Sequence, residues 1–119
     1  RYPVTRSLAD CAPKVEAAFG SAGFRLVRTD REDRLFVPED SPMVKTLMGV
    51  YNSYTGQNAR PICIGGGSYA KSMPNIVAFG PIFPGDEVTE HRPDEYISLE
   101  RLRQNYDMIK MAISALANS

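Results

Sequence analysis

Leu99, Leu102, Tyr106, Ile109, Ile113 and Leu116 recur at alternating steps of three and four residues. That period puts all six on one stripe of an α-helix, and a strand could not gather them on one face. Ser98, just before the stripe, is a candidate N-cap. The same logic gives two earlier helices. Ser41 followed by Pro42 is a start signal, because the missing N–H of proline costs nothing in a first turn. Val44, Leu47, Met48, Tyr51 and Tyr54 follow at helical spacing, and Gly56 is the stop. Nearer the beginning, Ser7 caps a run of Leu8, Cys11, Val15, Phe19 and Ala22, with Asp10 in its first turn. Pro13 is a misfit that either delays this helix or bends it. Gly20 or Gly23 ends it.

Short apolar runs lie between the helices. Residues 24–28, 34–37 and 60–64 read as strands, and Pro3 makes Arg1–Thr5 extended. The mostly apolar run 75–83 suits a strand buried on both faces, turned by Pro84-Gly85. Helices alternating with strands predict the α/β class, mixed α and β. The stripe at 99–116 is expected to be core packing. Pro38-Glu39-Asp40-Ser41-Pro42 reads as a boundary, which divides the chain into 1–38 and 39–119.

Charge and composition exclude several functions. Fourteen basic residues balance fourteen acidic ones, so no electrostatic case for nucleic acid follows. No apolar run approaches the ~20 residues of a membrane helix, and no signal peptide is visible. Two cysteines, Cys11 and Cys63, are too few for a disulfide framework and suit a reducing, cytoplasmic setting. The chain opens at Arg1 without a methionine and is expected to be a piece of a longer protein.

Two features carry potential chemistry. Gly65-Gly66-Gly67-Ser68 follows an apolar run, and its backbone N–H groups would suit an anion such as a carboxylate. It matches neither a phosphate loop nor a dinucleotide fingerprint, and a tight turn without a ligand is the other reading. His91 is the only histidine, set among Glu90, Asp94 and Glu95. It reads either as a metal ligand whose second nitrogen a carboxylate orients, or as one residue of a solvated acidic loop. A single histidine without ligand-spaced cysteines does not make a zinc site within the chain. Ser68, Ser72 and Cys63 give no case for nucleophilic catalysis.

Five segments together carry a resemblance: Arg1-Tyr2-Pro3-Val4, Ser41-Pro42-Met43-Val44-Lys45-Thr46-Leu47, the glycine run through Lys71, Asn75 to Gly85, and Glu90-His91-Arg92-Pro93-Asp94-Glu95-Tyr96-Ile97-Ser98. In order and spacing they resemble the C-terminal quarter of the dinuclear-zinc aminopeptidases and amidohydrolases. Dipeptidase V, carnosinase, carboxypeptidase G and succinyl-diaminopimelate desuccinylase belong to that family. The resemblance implies the closing half of a ferredoxin-like lid over 1–38, and the C-terminal part of a catalytic domain over 39–119. It implies that His91 binds one of two zinc ions, with cobalt or manganese as possible substitutes. It implies that Gly65, Gly66, Gly67 and Ser68 line the substrate pocket, and that Arg1 holds the substrate carboxylate. The remaining ligands and the general base would lie upstream, so no catalytic residue is assigned here. The activity implied is hydrolysis of dipeptides or N-acyl amino acids by a zinc-activated water. Where the family usually has Thr-Tyr-Ala-Arg after the glycines, this chain has Ser68-Tyr69-Ala70-Lys71. Lysine loses the planar fork of arginine. The implied partners are a small peptide substrate and the upstream part of the same protein, with neither nucleic acid nor membrane. The isolated chain is expected to be inactive and to self-associate. Two alternatives stand beside this reading: a non-enzymatic module that binds a small anion, and a metal-free relative of the same fold.

Overall fold

The computed structural model describes residues 6–29, 33–64, 66 and 69–119. Three α-helices follow in order: α1 (Leu8–Ser21), α2 (Pro42–Thr55) and α3 (Leu99–Ala117), with a 3₁₀ turn at Tyr69–Ser72. Each α-helix begins as its sequence predicts. Ser7, Ser41 and Ser98 are the N-caps, and their hydroxyls accept from the backbone N–H of Asp10, Val44 and Arg101. A capping oxygen satisfies one of the donors that the first turn leaves unpaired. Ser7 also donates its hydroxyl to Asp10 Oδ2 at 2.8 Å. That bond holds the Asp10 carboxyl below its ordinary range. Pro13 neither delays nor ends α1, which starts at Leu8 and carries the proline inside. Gly56 closes α2 in the left-handed region at φ 69, where a side chain would be strained.

The chain divides into two compact units. One comprises Arg1–Val37 with Cys63–Ile76. In it α1 buries no residue, and Phe19 meets Phe24 edge to face at 5.7 Å between ring centroids. Asp33 Oδ1 accepts the N–H of Leu8 at 3.0 Å. The other unit comprises Pro38–Ile62 with Val77–Ser119, and it holds the main apolar core. Here α2 packs against α3. Leu47 and Val50 meet Phe83, Met108 and Ala112, with Tyr51, Tyr54, Val77 and Phe79 around them. Met108 is the most enclosed of these, 1% exposed.

The expected α/β class does not hold. Among the described residues the regular structure is entirely helical, with no strand. A strand needs a neighbour for its N–H and C=O groups. Residues 24–28, 34–37 and 60–64 form no ladder among the described residues, and Ile62 lies 84% exposed. Asn75 at φ 53 and Gly80 at φ 76 interrupt the run 75–83, since regular strands require negative φ. The mixed lid-and-catalytic-domain architecture therefore does not describe this structure. The stripe on α3 is corrected as well. The buried residues of α3 are Asn105, Met108 and Ala112, of which Met108 and Ala112 pack with Leu47 and Val50 of α2, while Leu99 is 84% exposed and Tyr106 66%. Periodicity fixed the helix but not which of its two apolar sectors α2 would cover.

Candidate functional site

The segment from Gly80 to Ile97 has no regular secondary structure, yet side chains tie it to α3 and to itself. Asn105, 4% exposed, uses both amide hydrogens: Nδ2 donates to Pro81 O at 2.7 Å and to Arg101 O at 3.0 Å. One turn earlier, the Arg101 guanidinium pairs with Asp86 Oδ1 at 2.7 Å and lies 4.9 Å from the centre of the Phe83 ring. The other oxygen of Asp86, Oδ2, accepts the N–H of Phe83 at 3.0 Å. Phe83 is itself buried and stacks on Tyr51. Asp86 therefore joins the helix to the backbone of the segment.

Further along, the two arms of the segment are laced together. Tyr96 donates its hydroxyl to Glu87 Oε2 at 3.1 Å, and Thr89 donates its hydroxyl to Tyr96 O at 3.1 Å. The bond to Glu87 favours the protonated phenol and raises Tyr96 above its ordinary value of 10.0. At the tip, Arg92 donates its N–H to Thr89 O at 3.1 Å, which closes a turn with Glu90 and His91 at its centre. His91 takes φ 61 there, and Asp94 takes φ 59. Positive φ at the second central residue is the signature of a type II turn, a place that favours glycine. A histidine held there is a strained position, and such positions gather at functional sites.

His91 is exposed. Glu95 Oε2 accepts the backbone N–H of His91 at 3.2 Å, not a ring N–H. Of the carboxylates named from sequence, Glu95 thus holds the backbone of the turn. Beneath the turn a cleft of about 640 Å³ is lined by Asp86, Glu87, Glu90, Tyr96 and Arg101, among others. Glu90 Oε2 is buried without a hydrogen-bond partner among the described residues.

The sequence also named residues elsewhere. Arg1, Gly65, Gly67 and Ser68 lie outside the described residues. Gly66 is exposed, and a Cβ built on it would meet nothing within 4 Å, so no close approach of the chain requires a glycine there. Among the described residues no group of three His, Cys, Asp or Glu side chains could hold a metal ion. A catalytic zinc normally has three protein ligands. The described residues therefore do not by themselves make up such a ligand set, and His91 stands among them as an exposed imidazole. Sequence reading passed over Arg101, Asn105 and Asp86. The only sequence signal for Asn105 was a polar residue between the apolar positions of a helix.

Comparison with known proteins adds the functional context. The chain is 40% identical over 118 residues to a Bacillus subtilis (strain 168) protein named "Putative dipeptidase YtjP", a match that covers 98% of this chain and 25% of that protein. It is 33% identical over 116 residues to a "Putative dipeptidase" of Staphylococcus epidermidis, again 98% of this chain and 25% of the relative. A Staphylococcus saprophyticus protein of the same description is 30% identical over 102 residues, 86% of this chain and 22% of the relative. The chain is thus related to these proteins and spans about a quarter of their length. No protein-family model matches it, and no solved structure matches it. Among the described residues no helix is long and apolar enough to cross a membrane.

Proposed function

We propose that this chain is part of a metal-dependent dipeptidase that hydrolyses dipeptides or related N-acyl amino acids. The observation that carries the proposal is the relation to proteins of that description across 98% of the chain. The turn at His91 supports it from another direction, because an exposed imidazole on a strained, well-tied turn is suited to meet a ligand. Zinc is the proposed metal, with cobalt or manganese as substitutes, and it would supply Lewis acidity to the reacting carbonyl and water. His91 contributes one ligand, and the others belong to the upstream part of the same protein. Arg1 takes the substrate carboxylate in a two-pronged, charge-assisted contact. Gly65, Gly66, Gly67 and Ser68 line the substrate pocket. Cys11 and Cys63 are both free thiols, which suits a cytoplasmic protein.

The test is dipeptide hydrolysis by the full-length polypeptide that carries this chain, with added zinc, cobalt or manganese. His91→Ala should lower turnover by more than the ~10–100-fold that follows loss of an outer-shell partner of a metal ligand. Undiminished turnover in the variant would remove His91 from the metal, and absence of any hydrolysis by the wild type would overturn the dipeptidase reading.

A further inference from the structure

We propose that Arg101 and Asn105 on α3 are positioning residues for His91: they clamp the 80–97 segment so that its tip presents the imidazole in one place. The inference rests on the reading of His91 as a metal ligand. It starts from a physical need, since a segment without helix or ladder bonds takes its shape from local turns and from the side chains that hold it. Here the holding groups lie one helical turn apart on a single rigid element. Asn105 fixes the entry to the segment through Pro81 O. Gly80 lets the backbone press against that amide, for a Cβ on Gly80 would stand 2.7 Å from Asn105 Oδ1. Arg101 fixes the next corner through Asp86, whose second oxygen holds the N–H of Phe83. From Asp86 the path continues through the Glu87–Tyr96 and Thr89–Tyr96 bonds to the Thr89–Arg92 turn. It ends on the backbone N–H of His91, which Glu95 holds. Every link from α3 to His91 is a bond of 3.2 Å or less. Groups that orient a metal-bound histidine are normally its direct partners; in this chain the orienting bonds act on its backbone.

Amide exchange on the 119-residue chain tests the clamp without any metal. In Asn105→Ala and Arg101→Gln, amides of residues 83–97 should exchange about tenfold faster, while α2 amides change by less than about twofold. Arg101→Lys keeps the charge facing Asp86 and should restore most of the protection; it also serves if a harsher variant fails to fold. Equal acceleration in α2, or no change in the segment, would overturn the clamp and leave a merely structural role. Zinc affinity of the full-length polypeptide then tests the positioning of His91. Both variants should bind zinc about tenfold or more weakly, with unchanged helical circular dichroism. Unchanged affinity alongside a loosened segment would overturn the positioning. His91→Ala is the control that separates the two ideas. If it leaves zinc affinity intact, the ligand reading fails, and the exchange data still decide whether the clamp exists.

Discussion

Replacing His91 by glycine should leave the fold as stable or more stable while removing the imidazole. His91 sits at φ 61, in the left-handed region. An L-residue there costs about 1–2 kcal/mol relative to the right-handed region. Glycine avoids that cost but frees the unfolded chain, which takes back about 0.4–1 kcal/mol. The side chain is exposed, and the bond to Glu95 uses the backbone N–H, which glycine keeps. The net change should therefore lie between about zero and about 1.5 kcal/mol of stabilisation. A gain of about 1 kcal/mol corresponds to several degrees in the melting temperature of a small domain. Urea denaturation of His91→Gly and of Arg92→Gly makes the comparison. Arg92 is also exposed but lacks the positive φ, so glycine there should destabilise by about 0.4–1 kcal/mol. Equal destabilisation by the two variants would refute the argument that His91 is held in a strained turn.

Asp94 at φ 59 should behave like His91, so Asp94→Gly should also be neutral or stabilising in the same denaturation assay. Gly80→Ala should do the opposite. It places a Cβ 2.7 Å from Asn105 Oδ1 at a backbone φ of 76, and it should cost at least about 1–2 kcal/mol by urea denaturation. Tyr96 should titrate above its ordinary 10.0 in ultraviolet difference spectra, and Glu87→Gln should bring it back toward that value. A folded-state value raised above the unfolded one adds stability that is complete below pH 10.0 and is lost as pH rises through the folded value. Tyr96→Phe should flatten that part of the stability profile.

The helices were legible in the sequence because their signals are local. Ser7, Ser41 and Ser98 cap, Gly56 stops, and apolar residues repeat at helical spacing. The strands were not, because a strand is a relation between segments, and an apolar run such as 60–64 reads alike whether or not it finds a neighbour. The buried face of α3 was missed for a related reason. Leu102, Ile109 and Ile113 form the more obvious stripe, yet the contact with α2 selects Met108 and Ala112. At the candidate site His91 was visible as a lone histidine among carboxylates. Its positive φ belongs to the local Thr89–Arg92 turn, whereas the bonds from Arg101 to Asp86 and from Asn105 to Pro81 arise from tertiary contact, and no spacing in the chain announces them.

The most direct test of the proposed role of His91 is a zinc titration of the full-length polypeptide that carries this chain, read by competition with a chromophoric chelator. The account predicts that the wild type binds zinc tightly, that His91→Ala binds it at least about 100-fold more weakly, and that the 119-residue chain alone binds it weakly, because one imidazole falls short of the three protein ligands a catalytic zinc normally has. Equal affinity in wild type and His91→Ala, or submicromolar binding with peptidase activity in the 119-residue chain alone, would contradict it.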